Sequence, residues 1–65
     1  MGKIMILSDR DGVYEVGTVV NVMDFIQSYI DCCADKSTAE WISVIPIPSA
    51  VIFIAEAWGI DYKYV

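Results

Sequence analysis

The chain has 65 residues, 57% of them hydrophobic, and its nine acidic and four basic side chains give a net charge of −5. This length allows one domain, residues 1–65, which buries only about 60% of its unfolded surface, so the apolar excess predicts a homo-oligomer. With no histidine and only two cysteines, we expect no catalytic triad, no metal site and no disulfide between distant segments.

The N-terminal third is predicted to form a β-hairpin. Lys3–Ser8 is a short apolar run typical of a strand, and residues 13–20 alternate partly, as a second strand would. Asp11 and Gly12 lie between the two runs, and Asp-Gly favours a tight hairpin turn because glycine accepts a positive φ.

An amphipathic helix is predicted next. Asn21 is a favourable N-cap residue. Apolar residues then recur with helical spacing at Val22, Met23, Ile26, Tyr29, Ile30 and Cys33. Polar residues occupy the opposite face, so the segment predicts a helix of about three turns.

The longest uncharged stretch runs from Trp41 to Ala55. Its first part, Trp41–Ile47, is rich in β-branched residues and predicts a buried strand. Ser37 and Glu40 have the spacing of a capping box, which allows a helical turn before that strand.

Residues 48–58 fit two structures. The run of β-branched and aromatic residues favours a strand, whereas Pro48 suits a helix start and Gly59 suits a helix end. The alanines add to the helical preference, and we favour the helix. Ile60–Val65 alternates cleanly and is predicted to be the last strand.

The predicted order is β-β-α-β-α-β, an α+β domain with one sheet and two helices packed on one face. If residues 48–58 form a strand, the second helix is lost. We expect the uncovered face to hold the remaining apolar and tyrosine side chains and to act as an interface.

Residues 4–13 form an apolar strand followed by Asp-x-Asp-Gly. This segment resembles motif one of the haloacid-dehalogenase-like phosphatases. The resemblance implies that Asp9 is a nucleophile forming an aspartyl-phosphate, that Asp11 is a general acid, and that magnesium binds between phosphate and carboxylate. No acidic pair follows to complete that metal site, and the chain is too short for the family's doubly wound domain. Turn chemistry also explains two acids at a hairpin tip, so we predict no enzymatic activity.

Cys32 and Cys33 are sequence neighbours. On a helix their side chains point about 100° apart, so we expect two reduced thiols rather than a disulfide. We expect these small side chains to fill the core. A redox or soft-metal site would need a basic neighbour to lower a thiol pKa, and none is present.

Aromatic residues are the main candidates for protein contacts, because tyrosine and tryptophan bury a large area and keep a polar group. The interface candidates are Trp41, Trp58, Tyr62 and Tyr64. Tyr62 and Tyr64 share one face of the last strand, which could be a sheet edge that adds to a partner's sheet. The candidates for contact with a basic partner are Asp9, Asp11 and Glu15.

The predicted function is a non-enzymatic interaction module that self-associates and occupies another protein's surface, as an inhibitor or adaptor. Small acidic inhibitors of host defence from phages and mobile elements have this character. The alternative is a homo-oligomeric binder of a small molecule, such as a nucleotide, with its pocket between subunits. Neither function calls for a resident cofactor.

Other partners are excluded by charge and length. The four basic residues, Lys3, Arg10, Lys36 and Lys63, are scattered, so we expect no direct nucleic-acid binding and no attraction to anionic membranes. The uncharged stretch is shorter than a membrane span and contains two prolines. No secretory signal is visible, which predicts a cytoplasmic protein.

Overall fold

The computed structural model describes residues 2–65. In these residues, three antiparallel strands form one open sheet and three helices accompany it, which confirms the predicted α+β class. In chain order the elements are β1 (Lys3–Asp9), β2 (Val19–Asn21), α1 (Val22–Cys32), α2 (Lys36–Val44), α3 (Ile47–Trp58) and β3 (Ile60–Tyr64).

The central strand of the sheet is β1, which pairs with β2 on one side and β3 on the other. Ile4 lies opposite Val20 of β2 and Tyr64 of β3. The register with β3 shifts between Ile6 and Ser8. A bulge of this kind bends and twists the strand locally.

The N-terminal hairpin has a longer loop than predicted. β1 and β2 are antiparallel, but the strand predicted over residues 13–20 is reduced to Val19–Asn21, and residues 10–18 form turns and bends. Residues 10 and 11 form a turn and Gly12 has the expected positive φ of +72°, but this turn does not join the two strands directly.

The physical reason for the longer loop is the Asp9 carboxylate, which accepts hydrogen bonds from the amides of Asp11, Gly12 and Tyr14. Further along the loop, Gly17 and Thr18 are hydrogen-bonded to Ile6 of β1.

The predicted strand over Trp41–Ile47 is also wrong, because α2 extends to Val44. The Asp35 side chain accepts a 2.7 Å hydrogen bond from the amide of Thr38 and so caps α2. A capped first turn outweighs the weak strand preference of the β-branched residues that follow. The element order is therefore β-β-α-α-α-β.

The remaining elements agree with the sequence. The Asn21 side chain accepts a hydrogen bond from the amide of Met23 at 2.9 Å and caps α1 as predicted. Residues 48–58 are helical, in α3, and Gly59 ends that helix with a φ of +67°. The predicted last strand is β3.

The core lies between the helices and one face of the sheet. Ile4 and Ile6 of β1 are completely buried, whereas Lys3 on the opposite face is exposed. α3 supplies the largest share of the core because it is apolar on most sides. The buried side chains are Ile4, Ile6, Val22, Phe25, Ile26, Ile42, Ala50, Val51, Ile54, Ala55, Trp58 and Ile60.

The open face of the sheet does not carry the tyrosines, contrary to expectation. Tyr62 lies opposite Ile6, and Tyr64 lies opposite Ile4. Directly opposed side chains share a face of the sheet, so both tyrosines lie on the helix side. The open face combines apolar and charged residues, among them Lys3, Met5, Val19, Asp61 and Lys63.

None of the three helices found in residues 2–65 combines the length and the apolar composition that crossing a membrane requires.

Candidate functional site

The two aspartates of the Asp-x-Asp-Gly segment have different surroundings. Asp9 Oδ1 accepts hydrogen bonds from the amides of Asp11 and Gly12 at 3.0 and 3.1 Å, and its Oδ2 accepts one from the amide of Tyr14 at 2.6 Å. Both carboxylate oxygens are therefore engaged in the loop, as turn chemistry explains. The Asp11 carboxylate lies 3.4 Å from Nε of Arg10, and both side chains are exposed.

The three acidic contact candidates thus share one loop. Asp11 and Glu15 are exposed, whereas Asp9 is half-buried and directed at the loop's own amides. Their contact with a basic partner stays a prediction. Within residues 2–65, no three histidine, cysteine, aspartate or glutamate side chains are grouped so that they could hold a metal ion.

Six aromatic rings form a continuous row through the core. Trp58 is at its centre, with its ring centroid 5.7 Å from that of Phe25 and 5.2 Å from that of Tyr29, both edge-to-face. The row continues from Tyr29 to Phe53 and from Phe53 to Trp41, at 6.0 and 5.0 Å. Such pairs contribute about 0.5–1.5 kcal/mol each beyond simple burial. We call these rings, with Tyr14 at the other end, the aromatic row.

The four aromatic interface candidates are not brought together. Trp58 is only 7% exposed and belongs to the core, whereas Trp41 is 47% exposed at the end of the aromatic row. Tyr62 and Tyr64 form a separate edge-to-face pair with centroids 5.7 Å apart. Burial, with a smaller effect of Tyr64, raises the pKa of the Tyr62 hydroxyl. Trp41, Tyr62 and Tyr64 keep exposed surface.

An apolar groove lies between α1 and the junction of α2 with α3. Its volume is about 300 Å³, and none of its lining residues is charged: Met23, Ile26, Gln27, Ile30, Ile42, Ser43, Ile45 and Ile47. Met23 and Ile47 are 56% and 48% exposed, whereas Ile26 and Ile42 are buried. The groove therefore has a buried apolar floor and a half-exposed apolar rim.

The outer margin of this groove is acidic on the side of α1. Gln27 lines the groove and donates a 2.8 Å hydrogen bond to the Asp31 carboxylate. Asp24 is one turn before Gln27, so both acids lie on the same side of α1. Both are exposed.

The groove was missed by sequence reasoning. One signal was available: the apolar stripe of α1 includes Met23 and Ile30, which are not fully buried and line the groove. The position of α2 was needed to see the other wall, and α2 was predicted as a strand.

β3 is the edge strand at one side of the sheet, and in residues 2–65 it pairs with β1 alone. The Val65 amide donates to the carbonyl of Lys3 at 3.1 Å. In an antiparallel ladder, alternate residues direct their backbone groups to the same neighbour, so Lys63 also faces β1. The backbone N–H and C=O groups of Tyr62 and Tyr64 therefore point away from the sheet.

Cys32 and Cys33 are free thiols, and both are exposed. The expectation that they fill the core is wrong, because α1 ends here and turns both side chains to solvent. A hydrogen bond with the Cys33 side chain, together with the charge of that group, raises the pKa of the Cys32 thiol.

No known protein family, curated protein or solved structure matches this chain. Two features of residues 2–65 are open to solvent: the apolar groove and the outer edge of β3.

Proposed function

We propose that this chain is a non-enzymatic interaction module that self-associates and binds an amphipathic helix of another protein. The apolar side of that helix enters the groove, and its polar side carries basic residues. By covering this helix, the chain acts as an inhibitor or an adaptor. The observation that carries the proposal is the groove itself, which is uncharged, has a buried floor and leaves Met23 and Ile47 half exposed at its rim.

The size and lining of the groove suit side chains of a helix. Amphipathic helices bind apolar grooves through residues spaced three or four positions apart. A volume of about 300 Å³ is at the lower end of the roughly 300–1,000 Å³ typical of ligand pockets. It is large enough for a few apolar anchors of a helix. The unbranched Met23 side chain can adapt its shape to them.

Charge favours a basic partner. The net charge is −5, and Asp24 and Asp31 flank the groove on α1. Opposite charges at the rim of an interface accelerate association, and salt weakens that effect. Asp11 and Glu15, in the loop after β1, remain additional candidates for contact with the same basic partner.

The proposed setting is the cytoplasm, where Cys32 and Cys33 stay reduced. The proposed partners are a second copy of the chain and another protein, without direct binding to nucleic acid or to a membrane. No cofactor takes part.

A second candidate function is the binding of a small molecule, and the groove also supports it. In that case the ligand occupies the groove of one subunit, instead of the pocket between subunits that the sequence suggested. A small apolar ligand would raise the melting temperature, and the rise would grow with the logarithm of its concentration once this exceeds the dissociation constant.

The test is a selection of helical peptides from a displayed library on the wild-type protein. Binders are expected to carry apolar residues at helical spacing and a net positive charge. Their dissociation constants are then measured by fluorescence anisotropy. Met23→Asp or Ile47→Asp should weaken binding at least about ten-fold, because each places a charge against an apolar ligand.

Ile52→Asp is the matched control. Ile52 is 51% exposed on α3 and does not line the groove, so this variant adds the same charge and should leave affinity unchanged. The proposal would be contradicted if the dissociation constants of the selected peptides were the same for wild type and for both groove variants. If no peptide is enriched and a small apolar compound raises the melting temperature of wild type but not of Met23→Asp, the second candidate replaces it.

A further inference from the structure

The sequence of β3 is complementary to itself. It reads Ile-Asp-Tyr-Lys-Tyr from residue 60 to residue 64, with an acid and a base on either side of Tyr62. Asp61 and Lys63 are both exposed. Their side chains lie on the open face of the sheet, because along β3 they alternate with Ile60, Tyr62 and Tyr64, which lie on the helix side.

An added strand must meet the outward backbone groups of β3. These belong to Tyr62 and Tyr64, as the hydrogen bond from Val65 to Lys3 establishes. Suppose that the added strand is β3 of a second copy, antiparallel and related by a two-fold axis. Residues whose backbone groups point away from β1 must then lie opposite the same kind of residue in the partner subunit. The registers that satisfy this and pair at least three residues of each β3 are centred on Asp61, on Tyr62 or on Lys63.

Charge selects one of these three registers. Centred on Lys63, the pair would place two lysines opposite each other, and centred on Asp61 it would place two aspartates opposite each other. Like charges directly opposed destabilise a strand pair. Centred on Tyr62, Asp61 of each copy lies opposite Lys63 of the partner subunit, twice in the symmetric pair.

We propose that two copies of this chain associate through their β3 edges, antiparallel and centred on Tyr62, so that two three-stranded sheets become one of six strands. This inference specifies the self-association contained in the proposed function and rests on it. The interface is isologous, which closes the assembly at two copies. It also covers the exposed edge that would otherwise recruit further strands.

The side chains on both faces suit this pairing. On the open face, Asp61 Oδ2 accepts a 2.9 Å hydrogen bond from Ser8, which leaves Oδ1 for the lysine of the partner subunit. On the helix side, the pair brings the Tyr62–Tyr64 rings of the two copies next to each other. Tyr64, which is 39% exposed in the monomer, lies opposite Ile60 of the partner subunit and loses contact with water.

The test is a charge exchange followed by sedimentation at low ionic strength. Asp61→Lys alone and Lys63→Asp alone each turn both attractive pairs into repulsive ones. Each should raise the dimer dissociation constant at least about ten-fold. The double variant Asp61→Lys/Lys63→Asp restores both pairs and should restore the dimer. An equimolar mixture of the two single variants should form a heterodimer, since one strand is then all basic and the other all acidic.

Ser8→Ala is the control for the hydrogen bond that Asp61→Lys also removes, and it should remain a dimer. Far-ultraviolet circular dichroism checks that every variant is folded. If wild type is a monomer at all concentrations, both this inference and the proposed self-association fail. If wild type is a dimer that the single exchanges do not weaken, or that the double exchange does not restore, self-association stands and the β3 pairing is overturned.

Discussion

The amide of Tyr14 donates a 2.6 Å hydrogen bond to Oδ2 of Asp9, five residues earlier in the chain. Because Oδ1 accepts two further amides of the same loop, one carboxylate fixes the whole path from the end of β1 to Tyr14. The Tyr14 ring then lies 5.9 Å from that of Phe25. Asp9 therefore connects the sheet to one end of the aromatic row.

We predict that Asp9→Ala lowers the free energy of unfolding by about 1–3 kcal/mol, because three backbone donors lose a charged acceptor. Asp9→Asn should cost less, since its amide keeps one oxygen as acceptor. Urea unfolding followed by circular dichroism measures both values.

Asp11→Ala is the control, because its exposed contact with Arg10 is worth little; the expected change is within about 0.5 kcal/mol. Equal losses at Asp9 and Asp11 would contradict the structural role assigned to Asp9. Magnesium-dependent hydrolysis of a generic phosphoester by wild type, abolished in Asp9→Asn, would instead support the phosphatase resemblance.

The elements that sequence predicted correctly have local signals in the sequence. α1 begins at Asn21, whose side chain caps it, and α3 ends at Gly59, whose positive φ few other residues adopt. β3 follows at once and shows alternation over its whole length. Such signals depend on neighbouring residues, so one sequence is enough to detect them.

The elements that sequence missed depend on hydrogen bonds and ring contacts that residue propensities and alternation do not reveal. Residues 13–18 alternate like a strand, but hydrogen bonds to Asp9 hold their first part in a loop. Trp41 has strand propensity, yet it lies in α2, where its ring packs against Phe53 at 5.0 Å. The groove was hidden for the same reason, since its walls come from α1 and from a helix that the sequence presented as a strand. The sequence allowed an edge position for β3, whereas the face of its tyrosines required the register with β1.

The left-handed conformation of Gly59 predicts a second effect on stability. A Cβ atom at this position would lie 2.8 Å from Cζ and Nε of Arg10 and 2.9 Å from its Cβ. Gly59→Ala therefore adds a steric clash to the cost of a positive φ, and we expect a loss of about 2–3 kcal/mol in the free energy of unfolding.

Gly12→Ala separates the two causes of that loss. Gly12 has a similar φ of +72°, but a Cβ atom there meets nothing within 4 Å, so its expected loss is only about 1 kcal/mol. Thermal unfolding of both variants gives the difference. A loss at Gly59 no larger than that at Gly12 would show that Arg10 moves away without cost.

The cap of α2 predicts a pH effect. The hydrogen bond from the Thr38 amide lowers the pKa of Asp35 below its ordinary value. A depressed pKa in the folded state means that the carboxylate stabilises the fold above the ordinary aspartate pKa, and that this contribution is lost as pH falls through the lowered value. The stability difference between wild type and Asp35→Ala should therefore be constant near neutral pH and shrink below about pH 4.

Asp35→Ser provides the comparison, because serine caps the helix without titrating in this range. The free energy of unfolding of Asp35→Ser should exceed that of Asp35→Ala by the same amount at pH 7 and at pH 3, as measured by urea unfolding. If wild type is also more stable than Asp35→Ala by the same amount at both pH values, ionisation of Asp35 does not contribute to the cap.

One tryptophan is buried and the other is half exposed, so their substitution should change the free energy of unfolding by different amounts. Trp58 touches three rings of the aromatic row and is 7% exposed, whereas Trp41 ends the row and is 47% exposed.

We predict that Trp58→Phe costs about 1–3 kcal/mol in the free energy of unfolding, through the cavity it leaves, and that Trp41→Phe costs less than about 1 kcal/mol. Fluorescence of the single-tryptophan variants checks the placement independently. The Trp41→Phe protein, which keeps Trp58, should emit at shorter wavelength and resist acrylamide quenching. The Trp58→Phe protein should emit at longer wavelength and be quenched readily. Equal quenching of the two would contradict the row, because Trp58 could then not be enclosed by Phe25 and Tyr29 while Trp41 remains half open to solvent.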